Sequence, residues 1–361
     1  MAMQYSLGVL SQIGGAETWV IPQSGGKDSR TVAQVVLALI EEGRLAPPQR
    51  IVFYLADTLL EFERFIAQAR RGLGDLAAKA RGLGIETHSF ITVPIPQDDF
   101  WVRIIGYGFV PPTPAMRTCT DKLKIAPPRR ILRRFAWDGA PLLLGVRQGE
   151  SRRRDAVLSC QAGGECGPDY LYVQLRRRAS SAQRAVAPIL TWRTCAVWDW
   201  LTLQAPQHGF DNGELAEVYG PGNLRYGCWC CPLIYRDRAG EYLAQTDAKI
   251  GELVRFTDSI LRPGGAAWQT QNRELFPARN GGVHDGRLSL DFCRRIFTWM
   301  LDFEARWSYP LLSRWQKQTI QAVWAWRESL TGIQAGIRGQ LALPLLPHRQ
   351  ATEEIRSETG L

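Results

Sequence analysis

Short apolar runs alternate with longer amphipathic ones along the first half of the chain. Trp19-Val20-Ile21-Pro22 is extended in character, and the stretch from Thr31 to Leu39 is apolar at Val32, Val35, Val36 and Leu39. Ile51-Val52-Phe53-Tyr54-Leu55-Ala56 is continuously apolar, a helical period then runs to about Leu83, and Ile85 to Val93 is extended again. A short continuous apolar run suits a parallel strand buried on both faces, and spacings of three and four suit a helix with one buried stripe. Leu142-Leu143-Leu144-Gly145-Val146 predicts a fourth strand. The alternation predicts an α/β chain with a doubly wound, mostly parallel sheet. Ligands of such sheets bind beyond the carboxyl ends of the strands, where Ser24 and Asp57 fall.

The rest of the pattern sets the expected organisation. Residues 1–17 read as a lead-in broken at Gly14-Gly15. Pro94 to Pro114 is a long loop holding Trp101, Arg103, Tyr107 and Phe109, and loops of that length tend to be functional or mobile. A helix is expected to end near Phe135, and from Arg117 to Arg134 seven Lys/Arg face one acid, Asp121. Residues 155–190 are rich in loop formers, 233–262 read as helical, and Arg262-Pro263-Gly264-Gly265 and Arg279-Asn280-Gly281-Gly282 are breaks. Two aromatic-rich helices are expected at about 289–306 and 311–330, with their Trp and Phe residues in a core. The expected divisions are a nucleotide domain (1–155), a cysteine-rich insertion (156–240), a helical C-terminal region (241–335) and a weakly ordered tail (336–361).

Charge and cysteine usage narrow the picture. Lys+Arg number 44 against 35 Asp+Glu, a formal charge of +9 that suits a polyanionic partner. No apolar run reaches the roughly 18 residues of a membrane span. The start, Met-Ala-Met-Gln-Tyr-Ser, lacks a basic n-region and an apolar h-region, so the expectation is a cytoplasmic protein with no membrane partner. Cytoplasmic chains disfavour disulfides, so the 8 cysteines, clustered in part, point to metal or redox work. With 4 histidines, none beside a cysteine, a Cys/His zinc finger is disfavoured.

The chemistry centres on Ser24-Gly25-Gly26-Lys27-Asp28-Ser29, between strand one and its helix. Two glycines permit a tight turn, and amides of the first helical turn then make an anion site at the positive end of the helix dipole. Lys27 adds a mobile cation, and the Ser24 and Ser29 hydroxyls are candidate donors to phosphate oxygens. The string lacks the Gly-x4-Gly-Lys-Ser/Thr of a Walker loop and the three spaced glycines of a dinucleotide fold. Lys124 with Arg117, and Arg147 with Arg152 and Arg154, read as a second anion-binding group, with Glu150 a candidate partner for an arginine. Cys228-x-x-Cys231 has the spacing of zinc and iron–sulfur sites, with Cys160 and Cys166 as the best candidates for two further ligands. Cys230 can substitute for Cys228 or Cys231 or carry sulfur; Cys119 is placed near a nucleotide instead, and Cys195 and Cys293 are expected to be buried structural thiols.

Several of these strings recur in a known order. Ser24–Ser29, Asp57-Thr58, Arg117-x-Cys119-Thr120-x-x-Leu123-Lys124-Ile125-x-Pro127, Gly145-x-Arg147-x-x-Glu150-Ser151-x-x-Arg154, Pro188-x-x-x-Trp192 and Arg225-x-Gly227-Cys228-x-x-Cys231-Pro232 together resemble the PP-loop ATP pyrophosphatases, in their phosphoadenosine-phosphosulfate reductase-like branch. Within that branch the chain looks most like the sulfur-transfer component of DNA phosphorothioation systems (DndC/SspD type). The resemblance covers roughly residues 18–240.

The resemblance implies an adenine nucleotide alpha hydrolase-like sheet and cleavage of ATP between its α and β phosphates. It casts Lys27, Asp28 and Ser29 as catalytic, and Ser24, Gly25, Gly26, Lys27, Asp28, Ser29, Asp57, Lys124 and Arg147 as nucleotide-binding. Asp28 orients Lys27 or a Mg²⁺ ion; Asp57 meets the adenosine or Mg²⁺, or caps the next helix. Cys160, Cys166, Cys228 and Cys231 would hold a 4Fe–4S cluster, with zinc as the alternative. The implied activity is activation of a DNA backbone phosphate for sulfur incorporation, with a cysteine desulfurase, DNA and further subunits of the phosphorothioation system as partners. tRNA thiolation or sulfonucleotide reduction is the alternative, and a non-catalytic ATP-binding subunit of a DNA-defence complex is a second. The chain departs from the reductases in lacking any cysteine after Cys293, since Glu165-Cys166-Gly167 is internal, which disfavours thioredoxin-linked reduction.

Overall fold

The computed structural model describes residues 2–149, 185–220, 224, 226–277 and 281–331. Glu150, Arg152, Arg154, Cys160, Cys166 and Arg225 lie outside the described residues, as do the expected boundaries at 155/156 and 335/336 and the tail. The chain divides into two compact units: Met1–Ala56 with Phe62–Thr92 and Pro128–Tyr226, and Asp57–Glu61 with Val93–Pro127 and Gly227–Leu361.

The first unit is the α/β sheet. Strands β1 (Thr18–Gln23), β2 (Arg50–Ala56), β3 (Glu86–Thr92), β4 (Leu142–Leu143) and β5 (Ala185–Val186) lie in the order β3-β2-β1-β4-β5. Every neighbouring pair is parallel. The reversal of order about β1 is that of a doubly wound sheet, consistent with an adenine nucleotide alpha hydrolase-like fold. Trp19, Val20, Ile21, Ile51, Val52 and Phe53 are buried, as continuous apolar runs require when both faces are covered. Three helices are labelled in this unit: α1 (Ala2–Ser11), α2 (Lys27–Glu41) and α3 (Glu63–Gly82). In α2 nearly every residue from Lys27 to Leu39 is buried, which marks it as the central helix. Each fully buried Val or Leu there contributes on the order of 1.5–3 kcal/mol.

Two expectations are corrected here. Residues 1–17 are more than a lead-in, because α1 buries Val9 and Leu10 in the main core, and its Ser6 hydroxyl donates to the Pro188 carbonyl at 2.7 Å. Strand β4 stops at Leu143 rather than Val146. Beyond it, the backbone at Gly145 comes so close to α2 that an added Cβ would lie 2.6 Å from the Ser29 amide nitrogen.

The second unit is mainly helical. Helices Leu290–Trp307 and Arg314–Thr331 bury Phe292, Phe297, Phe303, Trp315 and Trp324, as their aromatic pattern predicts. Asp99 is fully buried and accepts from the Val102 amide at 3.0 Å and from Gln316 Nε2 at 2.9 Å. The run Thr120–Ile125 forms a widened, π-type turn just before Pro127-Pro128. Proline removes an i→i−4 hydrogen bond and crowds the preceding turn, and widening relieves both. Arg273–Pro277 pairs antiparallel with Val283–Leu288, and of the expected break between them Arg279 and Asn280 lie outside the described residues. Neither strand alternates clearly between apolar and polar, so no period-2 signal marks them.

Candidate phosphate-binding loop and thiol cluster

In the first unit, β1 delivers the chain to Ser24 and α2 starts at Lys27. Gly25 turns the corner with φ of +72°, and an added Cβ there would lie 2.6 Å from the Ala69 Cβ. The loop is braced from inside. Ser29 Oγ accepts from the Ser24 amide at 3.1 Å, donates to the Gly26 carbonyl at 3.1 Å, and shares a hydrogen bond with Ser24 Oγ at 3.0 Å. Gln68 Nε2 donates to the Gly25 carbonyl at 2.6 Å, and Gln23 Nε2 to the Ser29 carbonyl at 3.2 Å. The Ser24 and Ser29 hydroxyls, expected to face phosphate, hold the loop in shape.

The charges form a chain. Lys27 Nζ meets Asp28 Oδ2 at 3.2 Å, and Arg147 Nε meets Asp28 Oδ1 at 2.6 Å. Side-chain exposures of 7%, 15% and 6% for Lys27, Asp28 and Arg147 put the triad in a poorly solvated place, where hydrogen-bonded ion pairs are stronger than at the surface. Arg147 is fixed further by Nη1 donating to the Trp192 carbonyl and to Thr194 Oγ1, each at 3.3 Å. Both oxygens of Asp28 are thus committed to cations, and this carboxylate orients Lys27 and Arg147. Gly26 caps α2 with extended φ/ψ and no side-chain cap bond. The Lys27 amide donates to Tyr219 Oη at 3.1 Å, and the Lys27 ammonium lies 5.2 Å from the centre of the Tyr219 ring. With the Lys27 amide taken by Tyr219, the flanking cation and the positive end of the helix dipole are what this helix start offers an anion. Tyr219 and Gln68 carry no motif signal, since they reach the loop from 192 and 43 residues away.

In the second unit, Asp57 and Thr58 begin a tight turn rather than a helix cap. Asp57 Oδ1 accepts from the Leu59 amide at 2.8 Å, and Leu59 has φ of +63°. The N-cap of α3 is Phe62, so the capping reading of Asp57 is set aside. Glu61, missed by sequence reasoning, takes Thr58 Oγ1 at 2.7 Å and the Thr58 amide at 3.2 Å. Its only signal was the Thr-x-x-Glu spacing of a capping box. Cys228 Sγ lies 3.5 Å from Thr58 Oγ1 and 4.0 Å from Glu61 Oε1. The Trp229 amide donates to the Leu60 carbonyl at 2.9 Å, and the Cys231 amide to the Cys228 carbonyl at 3.2 Å, which closes the Cys-x-x-Cys turn.

Lys124 belongs with these sulfurs. Its ammonium is held protonated above its ordinary range by Cys228 first, against desolvation, and then by Glu61, Cys231 and Cys119. Burial, with Glu61 nearby, pushes the Cys228 thiol up to about 12, while Lys124 opposes that rise. Burial raises Cys230 and Cys119 too, the latter helped by Cys231. Cys119, expected beside a nucleotide, couples electrostatically to Cys231 and Lys124, and Lys124 lies among these thiols and the Glu61 carboxylate. Cys293 is buried as expected, but Cys195 is exposed, which corrects its assignment as a core thiol.

Among the described residues no group of three or more His, Cys, Asp or Glu side chains stands close enough to hold a metal ion. Of the expected ligands, Cys228 and Cys231 share a turn, while Cys160 and Cys166 lie outside the described residues. The described thiols do not by themselves fit a cluster or zinc. Nor is any helix among the described residues long and apolar enough to cross a membrane.

No model of a known protein family matches the chain, and no curated protein does. Among solved structures it is similar to NAD+ synthetase from Burkholderia pseudomallei, at 17% identity and a TM-score of 0.30, over 72% of this chain and 88% of that one. It is also similar to U34-tRNA thiolase NcsA from Methanococcus maripaludis with its 4Fe–4S cluster, at 12% identity and a TM-score of 0.36, over 72% and 78%. Both likenesses are too slight to carry a substrate or a partner across to this chain.

Proposed function

We propose that the protein is an ATP pyrophosphatase that activates a nucleic-acid phosphate, that of the DNA backbone, for replacement of oxygen by sulfur. The observation that carries this is the Lys27–Asp28–Arg147 triad beside the glycine turn, two cations held by one carboxylate where an α2 amide begins a helix. Such an array neutralises charge that develops on a leaving pyrophosphate. The loop would receive the β and γ phosphates of ATP, and Mg²⁺ bound with them would add charge neutralisation beside Lys27 and Arg147.

An oxygen of the acceptor attacks the α-phosphorus, the bond to the β-phosphate breaks, and pyrophosphate leaves with its electron pair. The acceptor phosphorus now carries AMP as a leaving group. A persulfide on a thiol of the Cys119/Cys228/Cys231 group, loaded by a cysteine desulfurase, attacks that phosphorus through its terminal sulfur and AMP departs. A second thiol then attacks the inner sulfur, frees the phosphorothioate and leaves a disulfide, which an external dithiol reduces. Burial raises the Cys119 and Cys228 thiols, and Lys124 opposes that rise at both, so Lys124 is the group that favours the sulfur anion this sequence needs. The setting is cytoplasmic.

The test is pyrophosphate release from ATP with desulfurase, cysteine, dithiol and DNA supplied, followed by mass analysis of digested DNA and, in parallel, of tRNA. Wild type should release pyrophosphate and give sulfur-shifted DNA dinucleotides. Full release by Lys27→Ala or Asp28→Ala would remove the loop from the mechanism. Sulfur on tRNA bases alone would move the activity to RNA, and ATP binding without turnover would make the chain a regulatory subunit.

A further inference from the structure

The segment Pro94–Pro114, expected as a loop, carries helical turns at Pro96–Asp98 and Val102–Gly106, and its aromatic residues are of two kinds. Trp101 and Tyr107 are buried in the second unit, whereas Phe109 is 37% exposed. Phe109 lines a cavity of about 200 Å³ together with Arg103, Met116, Cys119, Lys122 and Asp98. The Arg103 guanidinium lies 4.4 Å from the Phe109 ring centre, stacked on it. Burial lowers the Arg103 pKa, so this planar cation has given up much of its hydration. Lys122 pairs with Asp98 at 2.9 Å on the same wall. Met116 is 50% exposed at the rim.

We infer that this cavity receives one unpaired nucleobase of a nucleic-acid strand. A flat aromatic ring backed by a stacked arginine is the surface on which bases stack, and the adjacent cations suit the phosphates that come with the base. The volume is below the roughly 300–1,000 Å³ usual for whole small-molecule ligands and suits one heterocycle. The chain's +9 charge favours a polyanionic ligand over an apolar peptide. Cys119 on the wall places the bound base beside the thiol group. The inference rests on the proposed reading for its claim that the strand is the sulfur acceptor, but the binding itself stands apart from it. A duplex hides its bases in the stack, so an unpaired or flipped nucleotide is required.

The test uses the full-length protein and fluorescein-labelled 12-nucleotide probes: single-stranded DNA, single-stranded RNA of the same sequence, and the DNA duplex. Fluorescence anisotropy gives Kd at two salt concentrations. Phe109→Ala should weaken single-strand binding by about five- to a hundredfold, the range one stacked base supplies, at both salts. Phe109→Tyr should restore it, and duplex binding without base flipping should change by less than twofold. Loss confined to the DNA probe assigns the strand as DNA, and loss confined to RNA assigns it as RNA; either outcome supports the cavity as a base site. Equal Kd for wild type and Phe109→Ala on both single strands would overturn it, as would a raised KM for ATP with unchanged strand binding. If wild type binds strands through Phe109 yet releases no pyrophosphate, the base site holds and the proposed activity fails.

Discussion

Asp28 and Arg147 meet at 2.6 Å from positions 119 residues apart, one in the first turn of α2 and the other just beyond β4. The contact depends on Gly145, whose missing Cβ lets the chain lie against Asp28 and Ser29 before Arg147 turns in. Asp28 also holds Lys27, so one carboxylate sets the position of two cations.

Arg147→Gln should lower pyrophosphate release by about 10²–10³-fold, the scale for removing one preorganised charge from a transition state. Asp28→Asn should lower it comparably while leaving both cations in place but unbridged. Steady-state kinetics checks this: the loss is expected in kcat more than in KM, because the cations meet charge that appears on the leaving group. An unchanged kcat in both variants would detach the triad from catalysis.

Gly145→Ala should destabilise the first unit by roughly 1–3 kcal/mol, since its Cβ has no room against the Ser29 amide. Gly25→Ala should cost a similar amount, from both its positive φ and its contact with Ala69. Gly74→Ala is the contrast. Gly74 lies inside α3 with nothing within 4 Å of an added Cβ, so the change should stabilise by about 0.5–1 kcal/mol. Urea unfolding of the three variants decides it.

Burial holds the Asp99 carboxyl up to about 6, partly offset by its bonds to Val102 and Gln316. An unfolded Asp titrates near 4, so between about pH 4 and 6 the native state keeps a proton that the unfolded chain has lost. The stability from this group is present below about pH 4 and is lost as pH rises through 6, by up to about 3 kcal/mol. The stability gap between wild type and Asp99→Asn should therefore narrow as pH rises from 4 to 6 and stay constant above. A gap independent of pH would show that Asp99 does not titrate there.

Thiol alkylation should rank the cysteines by access. Among the described cysteines, Cys195, exposed, should be alkylated first by iodoacetamide at pH 7.5, with Cys230 and Cys293 modified only on unfolding. Peptide mass mapping at short times reads the order. Early labelling of Cys230 would contradict its burial within the Cys228–Cys231 turn.

The sequence by itself determined β1, β2, β3, the start of β4, the central helix and the glycine turn, because these depend on local period and on residues that tolerate unusual φ. It also located Lys27, Asp28, Lys124, Arg147 and the Cys228–Cys231 turn as chemistry-bearing, since their types and spacing persist without any structure. What it could not determine was partnership. Asp28 was open to a metal or to Lys27, and only the approach of Arg147 after a shortened β4 gave each of its oxygens a cation. Ser29 reads from its motif as a phosphate donor, whereas in the fold Ser24 and Gly26 occupy its hydroxyl. Cys119 and Glu61 carry little signal of their own, and they join Cys228 and Lys124 through chain segments far apart in sequence. Local propensity acts over a few residues, whereas a charge or thiol acquires its role from whatever the fold packs within a few ångströms, and only the tertiary structure decides that.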